Sequence, residues 1–397
     1  MKHLWQPWPL LGVLAGSIFF GGCESGQDAA TTQAPPFVFK SLELRQKRPK
    51  GEKDWDLISP EARYEFSRRL VRASRPEGIL YRNNQPSFRV RADRATVIND
   101  GQLVLLEGSV QLQQLQGQKV LIKGDRLRWT PAQELLVMEQ RPEAIDRLTR
   151  IKSTKARLHQ RSHDLTLLGT VQLERWSPKQ LQKVRGHAYS VVRARRTLWN
   201  LDHGGLMSEG PVLGQRRGDG HKTLQQLQAK ELKGNTKQGF IDLIGPVRVL
   251  APDRKGELNA ATTRWLIKED ALVSERPFNA GLQKSTLRGD GFRVAMGKTT
   301  LTVLRGCELT QPGDRLTAKS CQWNWTSNRV SAHGQVELRR KANQQVTRSE
   351  RLDGNVGKKG LVVFSSPSGS VKSQLNIKDD QTRPPAQRKR RASPVSF

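Results

Sequence analysis

Few residues in this chain have the type and spacing that chemistry needs. Cys307 and Cys321 flank Gln311-Pro312-Gly313-Asp314-Arg315, a strong turn signal. A hairpin centred on Asp314 sets Cys307 opposite Cys321, and an oxidising compartment would join them. Two reduced, buried thiols are the other reading. His159 and His163 have the i, i+4 spacing that grips a metal from one helix face, but their segment alternates like a strand. Two exposed histidines near a turn are the plainer reading. No G-x-S-x-G motif, phosphate-cradling loop or Ser/His/Asp grouping stands out, and three cysteines are too few for a zinc site of the usual kind. The expectation is therefore no catalytic residue, no metal site and no cofactor.

The third cysteine suggests a different chemistry. Lys2 precedes an apolar run, Leu10 to Phe20, that is too short for a bilayer span of about 20 residues and fits a signal-peptide core. Phe20-Gly21-Gly22-Cys23 then resembles a bacterial lipobox, although Phe20 stands where an aliphatic residue is usual. The expected roles are signal peptide for residues 1–22 and lipid attachment at the Cys23 sulfur. An ordinary cleaved signal and an uncleaved anchor are the alternatives. One acyl chain anchors marginally; two or three anchor stably. Residues 23–85 read as a lipidated N-terminus and polar tether, with a short helix over residues 60–73 started by Ser59-Pro60-Glu61.

Lys and Arg total 68 against 37 Asp and Glu, a formal charge of +31. Such a balance calls for an acidic partner or a solvated charged exterior. Nucleic acid is set aside. The chain reads as exported, and aromatic residues are only 6 % and do not sit among the basic runs.

The elements that must carry these residues are β-strands. Five stretches place apolar residues at every second position around a glycine. The sets are Val104, Leu106, Val110 and Leu112; Leu165, Leu167, Val171 and Leu173; Ile241, Leu243, Val247 and Val249; and Val330, Ala332, Val336 and Leu338. A degraded copy spans 301–310, where Glu308 takes the place of the valine. A period of two is a strand with one buried face, and its recurrence is a repeat architecture. A small or polar step recurs between the glycine strands, at Ala92, Gly124, Ser153, His187, Ala229, Ala260, Gly289, Ala318 and Ser349. The unit is about thirty residues, which fits two strands and their turns. One interval is 42 residues and holds the Gly-rich stretch 202–221, read as an inserted loop. Arg-Pro recurs at 141–142 and 276–277, which points to a higher-order repeat. About eighteen strands follow for a repeat domain at residues 86–375. Residues 376–397 read as a disordered basic tail.

The unit A-D-x-a, then a strand, then L-x-G-x-V-x-L, behind an export signal, resembles the OstA-like family of lipopolysaccharide-transport proteins, the LptA/LptC group, and its LptC type in particular. ADRATVINDGQLVLLEGSVQL (92–112), STKARLHQRSHDLTLLGTVQL (153–173) and AKSCQWNWTSNRVSAHGQVEL (318–338) carry the resemblance. It implies an all-β, elongated, open antiparallel jelly roll whose apolar slot holds lipid acyl chains. The inward residues of the four glycine strands would line that slot. The implied partners are lipopolysaccharide or a related lipid, an inner-membrane ABC-transporter complex, and other OstA-like jelly rolls joined through edge strands. The implied location is the periplasmic side of the envelope, membrane-anchored through the N-terminus, with the inner membrane favoured. The implied role is non-enzymatic passage of lipid toward the outer membrane. The chain departs from the LptC type in its length, about twice the usual, and in a cysteine anchor in place of a transmembrane helix. A polysaccharide-binding envelope lipoprotein and a β-helix polysaccharide lyase remain as alternatives. The Pro-Gly-Asp turn at 312–314 favours hairpins over a β-helix.

Overall fold

The computed structural model describes residues 37–176, 187–218, 222–342, 344–355, 362–367 and 369–374. Expectations for the signal peptide, Cys23 and the tail at 376–397 lie outside them. All the strands belong to one antiparallel sheet, and successive traverses of the sheet pair with each other. The first four traverses are each divided in two: β1 (Phe37–Phe39) with β2 (Leu42–Lys47), β3 (Lys53–Ser59) with β4 (Glu61–Glu65), β5 (Leu70–Ser74) with β6 (Glu77–Arg82), and β7 (Gln85–Arg91) with β8 (Arg94–Ile98). β9 (Leu103–Gln114) and β10 (Leu121–Thr130) run unbroken, while β11 (Leu135–Gln140) with β12 (Glu143–Ile145) and β13 (Thr149–Lys152) with β14 (Lys155–His159) are divided again. There follow β15 (Asp164–Arg175), β16 (Ser190–Asn200), β17 (Gly205–Arg217), β18 (Thr223–Asn235), β19 (Phe240–Ala251), β20 (Gly256–Leu266), β21 (Ala271–Leu282), β22 (Ser285–Ala295) and β23 (Thr300–Gln311). β24 (Asp314–Ala318) with β25 (Ser320–Asn324), β26 (Arg329–Arg340), β27 (Gln345–Asn355), and β28 (Val362–Ser365) with β29 (Lys372–Gln374) complete the sheet.

The fold is all-β, as the alternation predicts. Among the described residues 29 strands make 21 traverses, because eight traverses are each interrupted at one point and count twice; eighteen of them lie from β7 onward, and three precede the expected start at residue 86. Those interruptions fall on a common line. In unbroken strands the same line appears as a slip in register, for example between Gly124 and Arg126 against β9 and between Leu168 and Val171 against β16. The slip returns at Glu209/Val212, Ile244/Val247, Ser274/Pro277 and His333/Val336. Every traverse therefore crosses a crease, where an extra residue bends the strand. Gly108 (φ +77°), Gly169 (φ +87°) and Gly245 (φ +89°) sit on it in a backbone conformation that L side chains rarely adopt.

The crease explains both sequence signals. Along β9, β15, β19 and β26 the buried positions keep one parity through the bend, as in Leu106 and Val110. Along the partner strands parity changes, as in Ile122 and Leu127 of β10 or Ala229 and Leu232 of β18. The small steps at Gly124, Ala229, Ala260 and Ala318 are those changes of parity. His187 is not one of them; the corresponding residue of its traverse is Ala194, which pairs with Val171. Prolines also mark the line at Pro76, Pro142, Pro211 and Pro277, beside interrupted strands or register slips where the ladder has least need of a donor.

Several expectations are corrected. Residues 60–73 form no helix, and among the described residues there are only short 3₁₀ turns. The Ser59 hydroxyl does not cap; it lies 2.7 Å from the carbonyl oxygens of Glu61 and Ser74 and stitches β4 to β5. Ala62 faces Ala73 across that hairpin, and both are buried. Among the described residues the sheet thus begins at Phe37, and much of the expected tether, 23–85, is strand. The Gly-rich stretch 202–221 is no inserted loop: Gly205–Arg217 is strand β17, with Gly210 at the crease. In the degraded copy the inward positions are Cys307 and Leu309, and Glu308 points outward to Arg315 at 2.9 Å.

Cys307 and Cys321 are joined in a disulfide, although not as hairpin partners. The turn is Pro312-Gly313, which sets Gln311 against Asp314 and Cys307 against Ala318, while Cys321 faces Val303. Four residues of straight strand span about 13 Å, yet the two cysteine Cα atoms are 5.9 Å apart. The bend at Gly306 accounts for the difference, so the disulfide ties the two sides of the crease.

Gly169→Ala is expected to lose about 1–3 kcal/mol of stability, because its added Cβ meets the Thr154 side chain at a positive φ. Urea unfolding checks this, with Gly297→Ala, where a Cβ meets nothing within 4 Å, as the silent control.

Candidate lipid slot

The inward residues form two clusters. One runs from Trp55 to Val247, the other from Leu258 to Leu352, and Val249 packs against both. Val104, Leu106, Val110, Leu112, Leu165, Leu167, Val171, Leu243 and Val247 are buried in the first cluster, and Leu173, Ile241 and Val249 are partly buried against it. Val330, Ala332, Val336 and Leu338 are buried in the second.

These residues do not share one environment. Near β3 to β10 the interior is filled: Trp55 meets Trp129 edge-on at 5.3 Å, and Phe88, Leu80 and Leu106 are fully enclosed. From β13 onward it opens. One apolar cavity is walled by Ile151, Leu173, Val192, Ile241 and Trp265. A second shares Val192, Ile241 and Trp265 with it and adds Leu227 and Val249. A third shares Val249, Leu272 and Met296 with the second and continues to Leu282, Trp323 and Trp325. Farther along, Leu309, Leu316, Val330, Leu338 and Leu352 line another. The slot follows inward residue size. Gly214, Ser190, Ala194, Ala280 and Ser208 stand along it where bulky residues fill the first traverses.

The slot is rimmed by polar groups. Arg216 reaches Asp270 at 2.6 Å and lies 4.9 Å over the Tyr189 ring. Burial, with the Asp270 carboxylate that accepts a hydrogen bond from its hydroxyl, pushes the Tyr189 phenol up to about 12 despite Arg216. Sequence reasoning missed a row of inward tryptophans, of which Trp265 and Trp323 line the cavities. Trp129, Trp199, Trp265 and Trp323 each stand near the end of a parity-changing strand, opposite Val104, Leu165, Ile241 and Leu301 in turn. Their recurrence every 58–70 residues was the available signal.

A second group was also missed. His163 is buried, not exposed; its Nδ1 donates to Asp202 at 2.6 Å and its Nε2 accepts from the Ser87 hydroxyl at 2.7 Å. Arg82 donates to Asp202 at 2.6 Å, and the Phe88 ring packs edge-on at 4.8 Å. The distances match a nucleophile, base and orienting acid. Ser87 itself is 4 % exposed in the filled half and lines none of the apolar cavities described above. The arrangement ties β7 to the turns at 163 and 202.

The family model "Lipopolysaccharide-assembly, LptC-related" matches residues 11–173. Over those residues the chain is LptC-like. A search of curated proteins finds no match. The LptC family is an envelope-associated, non-enzymatic component of lipopolysaccharide transport that works with other Lpt proteins. The LptC-like segment runs from before β1 to near the end of β15, and the traverses from β16 onward repeat its pattern without being part of the match. Among the described residues no helix is long and apolar enough to cross a membrane.

Burial holds the His163 pKa below its ordinary 6.5, against the raising effect of Asp202. As pH falls through about 6.5, the unfolded chain binds a proton that the folded chain refuses, so stability is present above that pH and lost below it. Urea midpoints for the wild type are expected to fall between pH 7.5 and 5.5, and those of His163→Gln to change less over the same window.

Proposed function

We propose that the chain carries lipopolysaccharide, or a related lipid, by holding its acyl chains in the slot. The row of adjoining apolar cavities from Ile151 to Trp325, about 50, 60 and 130 Å³ in volume, carries this reading. Exposing acyl chain to water costs about 0.8 kcal/mol per CH₂, and a continuous apolar wall removes most of that cost without any reaction. An inner-membrane ABC transporter supplies the energy, and the lipid moves toward the outer membrane. The strand edges β1/β2 and β28/β29 offer backbone groups to neighbouring jelly rolls. Cys23 anchors the chain on the periplasmic side through attached lipid, inner membrane favoured. The match over residues 11–173, together with the cavities beyond them, supports a chain that combines an anchored part and a bridge.

The reading selects which residues to test. Leu167 and Val171 are buried to within 2 %, so a charge there would break the core before it reported on a ligand. Ile241 and Val249 are partly buried and line the cavities. Val249→Arg is expected to lower co-purifying lipid at least tenfold, measured by mass spectrometry, while the β-sheet circular dichroism persists. Wild-type lipid content in that folded variant would remove the slot assignment.

A further inference from the structure

Two rows of side chains run together along the inward face beside the cavities. Ile151, Leu173, Val192, Gly214, Leu227 and Val249 are successive register partners on β13 and β15 to β19. Two residues nearer the strand ends runs a second row: Thr149, Arg175, Ser190, Arg216 and Gln225, each in register with the next. A step of two keeps a side chain on the same face, so both rows point inward. The cavities agree. Thr149, Arg175 and Ser190 line the first, Ser190, Arg216 and Gln225 the second, and Gln225 the third. One apolar row and one polar row therefore bound the same space.

Inward polar groups are costly unless they are partnered, and in this row the partners are incomplete. Arg175 donates to the Thr149 hydroxyl at 3.2 Å and, among the described residues, pairs with no carboxylate. Arg216 reaches Asp270 at 2.6 Å, but its Nε is buried without a hydrogen-bond partner, and so is the Gln225 Oε1. Asp146, in the turn before β13, is taken by the amides of Leu148 and Thr149 at 2.8 and 2.6 Å. Among the described residues no carboxylate lines the first two cavities, and Glu257 beside the third is held by Arg248 at 2.8 Å. Arg175 and Arg216 lie two strand spacings apart, roughly 10 Å, with Ser190 between them.

We propose that the rim between Arg175 and Arg216 holds a phosphate ester at the polar end of a lipid whose acyl chains occupy the cavities beneath. The slot then prefers a phosphorylated lipid to a neutral one of equal chain length. A guanidinium fork matches phosphate oxygens in geometry and charge, and a partly buried pair is screened less by salt than an exposed one. The proposal rests on the lipid-carrying reading above and adds the charge of the ligand and the rim that its polar end meets.

The test titrates the full-length protein with oleoyl lysophosphatidic acid, monooleoylglycerol and glycerol 3-phosphate, and follows tryptophan fluorescence, since Trp265 and Trp323 line the cavities. The phosphorylated lipid is expected to bind at least about tenfold more tightly than the neutral one, the scale of one charge-assisted hydrogen bond. Arg175→Gln is expected to remove most of that preference while monooleoylglycerol affinity and the urea midpoint stay in place. Arg193→Gln, an exposed change on β16 next to Val192, is expected to keep it. Equal binding of the two lipids to the wild type overturns the proposal and leaves the lipid-carrying reading standing; binding of neither overturns both. Wild-type preference in Arg175→Gln overturns the proposal, as does an equal loss in Arg193→Gln, since net charge then accounts for the effect. Glycerol 3-phosphate binding as tightly as the phosphorylated lipid overturns it too, since the rim is then a site for free phosphate esters.

Discussion

The structure depends on one constraint: every traverse must bend at the same line. A flat sheet with one apolar face would leave that face in water. Bending each strand at the crease lets its two halves bury against each other, so a meander becomes its own partner layer. The bend needs an extra residue and a local φ that most side chains resist. Glycine supplies this at 108, 169 and 245. Proline marks the line at 76, 142, 211 and 277, where the ladder is already interrupted. The disulfide between Cys307 and Cys321 acts on the same line. With its ends 14 positions apart in sequence, it limits the unfolded chain by about 3 kcal/mol in the chain-entropy view.

Once the crease is fixed, side-chain size decides what lies inside. Large inward residues such as Trp55, Phe88 and Trp129 close the first traverses into a solid core. Small ones such as Gly214, Ala194 and Ala280 leave space between the layers farther along. The backbone pattern is the same throughout, so one architecture yields solid core in some traverses, including around Phe278 and Phe292 in the second cluster, and cavities in others. The outward face repeats Arg–Glu and Arg–Asp pairs across strands, such as Arg248 with Glu257 and Arg264 with Asp242. Each exposed pair contributes little on its own, and an excess of cations remains over the chain as a whole.

What could be read from the sequence follows from what alternation reports. Val104, Leu106, Val110 and Leu112 declare a buried face because their strand keeps parity through the bend. Their partner strand is harder to read, since Ile122 and Leu127 fall on opposite parities although both point inward. Alternation gives no contact between distant segments. Ser87, His163 and Asp202 meet only because β7 and two turns converge, and no local spacing announces it. The same limit hid the split between core and slot: Leu167 and Ile241 look alike in their motifs, yet only Ile241 borders open space. The helix expected at 60–73 failed for a related reason. A start signal at Ser59-Pro60 is a local preference, and pairing of β4 with β5 over five residues outweighed it.

The extent of the LptC-like match gives the slot its meaning. It ends at Leu173, a residue that lines the first cavity. One filled core cluster lies largely within the match, while most of the cavity lining comes from the traverses that follow. Those traverses add no new kind of element; each repeats the crease, the parity rule and the outward charge. Every added strand lengthens the interior by about 4.8 Å at the cost of one more turn. Extension by this rule needs no redesign, because a new strand meets the previous edge with the same register line and the same inward face. A chain that grows this way trades enclosed core for length, and length in an apolar groove is what carrying a lipid across an aqueous gap requires.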